Sequence, residues 1–162
     1  MKHRLVIAAV AAAFLATGVA QAQEKVVGVA NADALFTSKD PKLNRNKQAA
    51  YHIQKDLLEA NRWDEAGKWL TERYIQHNPN AQNGLKGVVY FFTQVMKRKP
   101  SPVPAKITTP IVAVMAEGDY VTIVRPYEQK DKAGKPYTTT WFDTWRFVDG
   151  KADEHWDSAL KN

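Results

Sequence analysis

The order of the sequence patterns predicts an α+β fold, with helices packed on one face of a curved antiparallel sheet. Apolar residues recur at helical spacing between residues 46 and 96, whereas a period of two dominates from residue 111 onwards. The proline-rich connector 100–104 separates these two halves, and the chain contains no internal repeat or low-complexity tract. Helices that precede a run of strands are typical of this class, so we expect one such domain.

Three helices are predicted before the connector. The first begins near Asn46, the second has Asn61 as its N-cap, and the third ends at Lys97-Arg98-Lys99-Pro100. A polar loop at 76–84 separates the second helix from the third. The inward stripes are Ala50, Ile53, Leu57 and Leu58 in the first, Trp63, Ala66, Leu70 and Tyr74 in the second, and Leu85, Val88, Phe92, Val95 and Met96 in the third.

Four strands are predicted after the connector, each followed by its neighbour in an antiparallel meander. Turn residues separate them at Glu117-Gly118-Asp119, at 131–135 and at Asp149-Gly150. The expected strands are Ile111 to Ala116, Tyr120 to Tyr127, Tyr137 to Val148, and 151–157.

The N-terminus has the features of a secretory signal peptide. Met1-Lys-His-Arg4 precedes an apolar run from Leu5 to about Ala20, and Ala20-Gln21-Ala22 is a cleavage site of the small-x-small type. We therefore expect residues 1–22 to be removed after Ala22 and the protein to be periplasmic or secreted. Residues 23–43 are predicted to form a tail or linker, and residues 44–162 to form the domain.

Composition excludes several classes of function. The chain has no cysteine, which excludes disulfides, thiolate metal sites and thiol nucleophiles. The formal charge of +6 is spread along the chain without a basic stripe, so nucleic acid is not an expected partner. No paired histidine spacing indicates a metal site, no phosphate-binding loop is present, and the apolar N-terminal run is too short for a stable membrane anchor.

The last hairpin places a carboxylate among tryptophans. Asp149-Gly150 indicates a two-residue type I′ turn, which fixes the register of the flanking strands. Without a bulge, Asp143 faces Trp156, Arg146 faces Asp153 as an ion pair, and His155 points outwards. The predicted pocket face then carries Trp141, Asp143, Trp145, Phe147, Ala152, Glu154 and Trp156. A slip of one residue would exchange the two faces.

Several segments together resemble the SnoaL-like proteins of the nuclear transport factor 2-like superfamily. They read Tyr74-Ile-Gln-His-Asn-Pro79 with Gly84 after it, Glu117-Gly-Asp-Tyr-Val121, and Phe142-Asp-Thr-Trp-Arg-Phe-Val-Asp-Gly-Lys-Ala-Asp-Glu-His-Trp-Asp157. The resemblance implies a cone-shaped barrel around a deep apolar pocket, in proteins that commonly dimerise through the sheet.

The resemblance also implies an activity. Characterised SnoaL-like enzymes are polyketide cyclases that close a ring by intramolecular aldol condensation without a metal or a cofactor. Their acid/base aspartate, on a late strand, falls on Asp143 by motif. This chain departs from the pattern at Thr122-Ile-Val-Arg125, where similar proteins often carry a histidine.

Asp143 is accordingly the candidate acid/base. An aldol step needs a base that removes a proton alpha to a carbonyl, and burial among tryptophans would raise the pKa of Asp143 above its ordinary value of about 3.9. The alternative is a structural aspartate held by hydrogen bonds. His77 is the candidate polar partner, or else a cap for local backbone.

The remaining candidates would bind substrate. Tyr74 is a candidate phenolic donor or a packing residue, and Glu154 is a second pocket carboxylate or a solvated residue at the rim. The candidate pocket walls are Trp141, Trp145 and Trp156.

Two functions remain open. The first is a cofactor-free lyase or isomerase that acts on a small apolar or carbonyl-containing molecule. The second is a non-catalytic periplasmic module that uses the same pocket for an apolar ligand, or the sheet for a partner. Fold alone does not separate them.

Overall fold

The computed structural model describes residues 24–161, so the predicted signal peptide at 1–22 lies outside the described residues. Two α-helices and five strands form the domain, with short 3-10 and π-helical segments around the helices. The elements in chain order are a 3-10 turn Asp33–Phe36, α1 Pro41–His52, π-helical Ile53–Glu59, a 3-10 helix Trp63–Lys68, β1 Leu70–Gln76, α2 Leu85–Tyr90, π-helical Phe91–Val95, β2 Ala113–Glu117, β3 Tyr120–Lys130, β4 Pro136–Val148 and β5 Lys151–Asp157. Within this part of the chain every helix is too short or too polar to span a bilayer.

Helix α1 begins earlier than the predicted start at Asn46. Asp40 is its N-cap, with Oδ1 accepting a hydrogen bond from the Leu43 backbone N–H at 2.9 Å, and Pro41 follows at the first helical position. The residues ahead of it also pack on the domain. Phe36 is fully buried in the core, and the Val29 N–H bonds to the Ile111 carbonyl at 2.7 Å.

The predicted second helix is wrong beyond residue 68. Trp63–Lys68 forms a 3-10 helix, and Leu70–Gln76 is strand β1. Leu70 and Tyr74 are four residues apart, a spacing that places both on one face of either a helix or a strand. Pairing with β5 selects the strand, since the Ala152 N–H bonds to the Trp69 carbonyl at 2.8 Å. The third helix is confirmed as α2 with its π-helical extension, but Val95 and Met96 of its predicted inward stripe are exposed.

The sheet has the strand order β1-β5-β4-β3-β2. The four late strands form the predicted antiparallel meander, whereas β1 joins the edge of the sheet in parallel with β5. The helices cover the concave face of the sheet, and the hydrophobic core lies between the helices and the sheet. Its largest fully buried apolar side chains are Trp145, Phe36, Leu57, Leu70, Ile111, Ile123, Val88 and Val121.

The final hairpin turns as predicted, but its register changes after the second residue pair beyond the turn. Asp149 and Gly150 have φ angles of 49° and 78°, in agreement with a type I′ turn. Phe147 pairs with Ala152 as expected, and then a bulge on β5 inserts Asp153. Beyond it Trp145 pairs with His155, Asp143 pairs with Asp157, and Thr144 pairs with Trp156.

Polar contacts explain why the extra residue is accommodated. Asp153 is only 6% exposed, and its carboxylate accepts from the Thr71 hydroxyl at 2.8 Å and pairs with Arg146 and Arg73. The predicted Arg146–Asp153 ion pair is therefore present, although Arg146 lies opposite Glu154. The expectation of an unbulged hairpin is wrong, and the two faces of β5 are exchanged beyond Asp153.

Candidate functional site

A cavity of about 300 Å³ lies between the helices and the concave face of the sheet. Its helical wall is mostly apolar and includes the two π-helical segments. Its sheet wall carries most of the polar groups. The apolar side is lined by Ile53, Leu57, Leu58, Val88, Phe91 and Phe92. The polar groups on or beside the sheet are Gln76, Asn78, Arg125, Asp143, His155 and Asp157, and the lining also includes Asn61 and Arg98.

Asp143 lies on the inner face of β4 and is 4% exposed. Its Oδ2 accepts hydrogen bonds from Arg125, at 2.9 Å from Nη2 and 3.1 Å from Nε. Its Oδ1 lies 3.2 Å from His155 Nε2. Both carboxylate oxygens therefore have partners, one cationic and one titratable.

The expected rise in the pKa of Asp143 is wrong. Burial by itself raises this pKa, but the hydrogen bond from His155 and the charges of Arg125 and His155 together hold it below its ordinary value. The indole N–H of Trp141 lowers the pKa further as a nearby donor, although it falls short of hydrogen-bond geometry and is left without a partner among residues 24–161. Asp143 is therefore a carboxylate at neutral pH.

His155 points into the cone and not outwards as expected. The bulge at Asp153 places its ring on the concave face, where it is 6% exposed and stacks on Trp145 with ring centroids 4.9 Å apart. His155 Nδ1 lies 2.8 Å from Gln76 Oε1, and Nε2 faces Asp143. Each ring nitrogen thus has one side-chain partner.

Asp157 completes the polar cluster on the neighbouring position of the same face. Its Oδ2 accepts from the Asn78 amide at 2.7 Å, and its Oδ1 accepts from the Ala159 N–H at 2.9 Å. Donor atoms of Asp143, His155 and Asp157 lie within 4.8 Å of one another, a spacing compatible with a metal ion. A cation there would be opposed by the Arg125 guanidinium already bound to Asp143, so we do not assign a metal to the cluster.

Three of the predicted pocket residues line the cavity: Tyr74, Trp141 and Trp145. The indole N–H of Trp145 donates to the Tyr74 hydroxyl at 3.2 Å, and burial raises the pKa of Tyr74 far above its ordinary value. Tyr74 is therefore a neutral phenol whose own O–H remains available to donate. Trp141 packs near the Arg125 guanidinium, which lies 5.6 Å from the centroid of its ring.

The other three predicted site residues, His77, Glu154 and Trp156, are absent from the cavity lining and cluster on the outer face. His77 Nε2 is 2.9 Å from Glu154 Oε1, and the His77 ring stacks on Trp156 with centroids 5.0 Å apart. Hydrogen bonds from His77 and then Arg146 lower the pKa of Glu154. His77 therefore does not contact Asp143: its partners are Glu154 and Trp156, which the bulge places on the face away from that carboxylate.

The sequence interpretation missed four residues of the cluster. Gln76 was part of the predicted loop, and alternation with Tyr74 would have placed it inwards had β1 been recognised as a strand. Asn78 was likewise treated as loop. Arg125 pairs with Trp141 across β3 and β4, so an extended antiparallel register would have placed it on the pocket face. Asp157 follows His155 by two positions on β5 and therefore lies on the same face as His155.

The fold and the cavity define a cone-shaped α+β protein, in which helices close one side of a curved sheet. The sequence-family model of the SnoaL-like domain matches residues 52–155 of the chain. The protein therefore belongs to the SnoaL-like family, whose members include polyketide cyclases. No protein of curated function matches its sequence.

Solved structures show the same fold at low sequence identity. A candidate polyketide cyclase from Acidithiobacillus ferrooxidans is 15% identical with a TM-score of 0.52, over 75% of this chain and 89% of that chain. A candidate SnoaL-like polyketide cyclase from Jannaschia sp. CCS1 is 14% identical with a TM-score of 0.52, over 75% and 91%. A protein of unknown function with a cystatin-like fold from Xanthomonas campestris is 19% identical with a TM-score of 0.51, over 69% and 88%.

Proposed function

We propose that this protein is an exported, cofactor-independent enzyme that binds a small apolar carbonyl compound and uses Asp143 as its acid/base. The observation that carries the proposal is the buried Asp143–His155 pair, 3.2 Å apart, at a cavity whose opposite wall is apolar. Buried titratable groups with shifted pKa values are concentrated at functional sites, and the pKa of Asp143 is lowered. The reaction class is aldol condensation or isomerisation.

The cavity suits a ligand without net charge. Four charged residues line it, and they balance as two cations and two anions: Arg98, Arg125, Asp143 and Asp157. Burial of a charged ligand against this balanced lining would leave its charge uncompensated, which is costly in an apolar surrounding. A neutral, mostly apolar molecule with a carbonyl oxygen fits both walls.

The chemistry follows from the protonation states. Asp143, as a carboxylate, accepts the proton alpha to the carbonyl, and the electron pair of the C–H bond moves to the carbonyl oxygen as an enolate forms. Two buried donors are available to that oxygen, the Tyr74 hydroxyl and the Trp141 indole N–H. Donors aimed at developing charge stabilise the transition state. The low pKa of Asp143 makes it a weak base, so these donors carry much of the stabilisation.

Deuterium incorporation tests this proposal with simple ketones in place of the natural substrate. Apolar ketones incubated with the protein in D₂O are expected to gain deuterium alpha to the carbonyl, measured by mass spectrometry. Asp143→Asn keeps the side-chain shape and removes the base, so we expect a loss of about 10²–10⁴-fold in exchange rate. Glu154→Gln, on the outer face, is the matched control and should retain the wild-type rate. Equal rates in wild type and Asp143→Asn would refute the role of Asp143.

A binding module is the second candidate. Both oxygens of Asp143 are already satisfied by Arg125 and His155, as in a structural aspartate, and export would separate the protein from most biosynthetic intermediates. Under this proposal the protein retains an apolar small molecule when purified from its own periplasm, and native mass spectrometry would detect it. The same spectrum would show whether the chain begins at Gln23, as cleavage after Ala22 requires.

A homodimer through the outer face of the sheet is part of the proposal. Four large apolar side chains on that face are at least 42% exposed: Met115, Tyr120, Phe142 and Val148. Exposed apolar surface of this kind is typical of an interface. The native mass spectrum would give the oligomeric state directly.

A further inference from the structure

Gln76 holds the ring of His155 from the side opposite Asp143. It is the last residue of β1 and pairs with His155 across the parallel ladder between β1 and β5. Its Oε1 lies 2.8 Å from His155 Nδ1 and also accepts the backbone N–H of Asn78 at 3.1 Å. The Asn78 side chain in turn donates to Asp157, so one short segment of chain contacts both groups.

The Asn78 contact fixes which way the Gln76 amide points. A backbone N–H can only donate, so the atom it contacts must be the amide oxygen and not the amide nitrogen. An amide oxygen can only accept, and the short contact with His155 therefore requires a hydrogen on Nδ1. The usual ambiguity between imidazole tautomers is removed by this neighbour.

The consequence appears at the other ring nitrogen. In a neutral imidazole with hydrogen on Nδ1, Nε2 carries a lone pair, and at 3.2 Å it would face the acceptor Oδ1 of Asp143. Two buried acceptors at this distance repel unless a proton lies between them.

We propose that Gln76 is a positioning residue that fixes His155 with hydrogen on Nδ1 and thereby places a transferable proton between His155 and Asp143. This inference rests on the proposed acid/base function and adds the residue that prepares the pair. The titratable and charged groups that surround His155 come from every packed strand: Tyr74 on β1, Arg125 on β3, Asp143 on β4 and Asp157 on β5. None of them lies against Nδ1, which leaves Gln76 as its partner.

The direct test is nitrogen NMR of the His155 ring, because the two ring nitrogens have different ¹⁵N shifts when protonated and when bare. The wild type is expected to show a protonated Nδ1. Gln76→Leu removes the acceptor, so Nδ1 should lose its hydrogen while Nε2 keeps the one that faces Asp143, and the Nδ1–H signal should be lost. Gln76→Glu restores an acceptor and should restore the Nδ1–H signal. Gln94→Leu replaces an exposed glutamine that is not part of the cavity lining; it is the control and should leave the ring signals unchanged.

The outcomes separate this inference from the proposed function. A wild-type His155 with hydrogen on Nε2 alone, or a Gln76→Leu spectrum identical to wild type, would overturn the inference. If Gln76→Leu does not fold, the wild-type and Gln76→Glu spectra still decide it. The NMR result needs no substrate, so an Nδ1–H tautomer without any deuterium exchange would refute the enzyme proposal while the positioning of His155 stands. With exchange present, Gln76→Glu should recover activity that Gln76→Leu loses.

Discussion

Two histidine–carboxylate pairs lie on opposite faces of the same sheet, and neighbouring residues of β5 contribute to them. The inner pair joins His155 and Asp143 at 3.2 Å, with side chains 8% and 6% exposed. The outer pair joins His77 and Glu154 at 2.9 Å, with side chains 44% and 19% exposed. An arginine also contacts each carboxylate, Arg125 inside and Arg146 outside.

The inner pair is the candidate reaction centre although its atoms are farther apart than those of the outer pair. What distinguishes it is the burial of both side chains and the second hydrogen-bond partner of the His155 ring. Electrostatic interactions are stronger where water is excluded, so the inner pair responds more strongly to the loss of a charge. The outer ring stacks on Trp156 and leaves its pair open to solvent screening. Only the inner ring has a side-chain acceptor at Nδ1 and a cavity beside it.

The tryptophans beside the two pairs should show the largest contrast. Trp145, 2% exposed beside His155, fills the core, so Trp145→Ala should lower the free energy of unfolding by about 3–5 kcal/mol. Trp156→Ala, on the outer face, should cost about 1 kcal/mol and leave ligand binding in the cavity unchanged. Chemical denaturation of both variants checks this, and equal losses would contradict the placement of the two rings.

The carboxylates should differ in how much stability they contribute. The pKa of Asp143 is lowered in the folded state, so its contribution is present at neutral pH and is lost as pH falls below about 4, through the folded value. Asp143→Asn should therefore cost about 3 kcal/mol at neutral pH, as expected when a buried pair is broken. The penalty should shrink on acidification.

Glu154→Gln is the comparison for that measurement. The pKa of Glu154 is also lowered, so the sign of its pH dependence is the same, but its pair is partly exposed and should contribute about 0.5–1 kcal/mol. Urea unfolding at a series of pH values separates the two. An Asp143→Asn variant whose stability deficit grew on acidification would show that the pKa of Asp143 is raised.

Much of the fold could be predicted because turns and periodicity are local. Gly118 and the Asp149-Gly150 turn mark the meander, and helical spacing marks α2. The predicted inward stripe fails only at its end, where the helix becomes π-helical and Val95 and Met96 are exposed. Strand β1 could not be predicted, because Leu70 and Tyr74 satisfy both periods and only pairing with β5 selects the strand.

Contacts between residues distant in sequence also explain why only part of the site could be predicted. Asp143, Tyr74, Trp141 and Trp145 lie on strands other than β5, and all four line the cavity. One additional residue, Asp153, then exchanges the faces of β5. At the bulge Asp153 contacts Thr71, Arg73 and Arg146, which are distant in sequence or lie on another strand. The alternation of residues along β5 does not indicate these contacts, so the bulge could not be predicted from it.

The most direct test of the account is the effect of each histidine on proton exchange at a carbonyl compound. His155→Gln and His77→Gln remove one ring from the inner pair and one from the outer pair, and deuterium incorporation into an apolar ketone is measured for both. We expect His155→Gln to reduce the exchange rate by about 10²-fold or more and His77→Gln to leave it at the wild-type value. Equal rates in the two variants, or a loss confined to His77→Gln, would contradict the assignment of the chemistry to the inner pair.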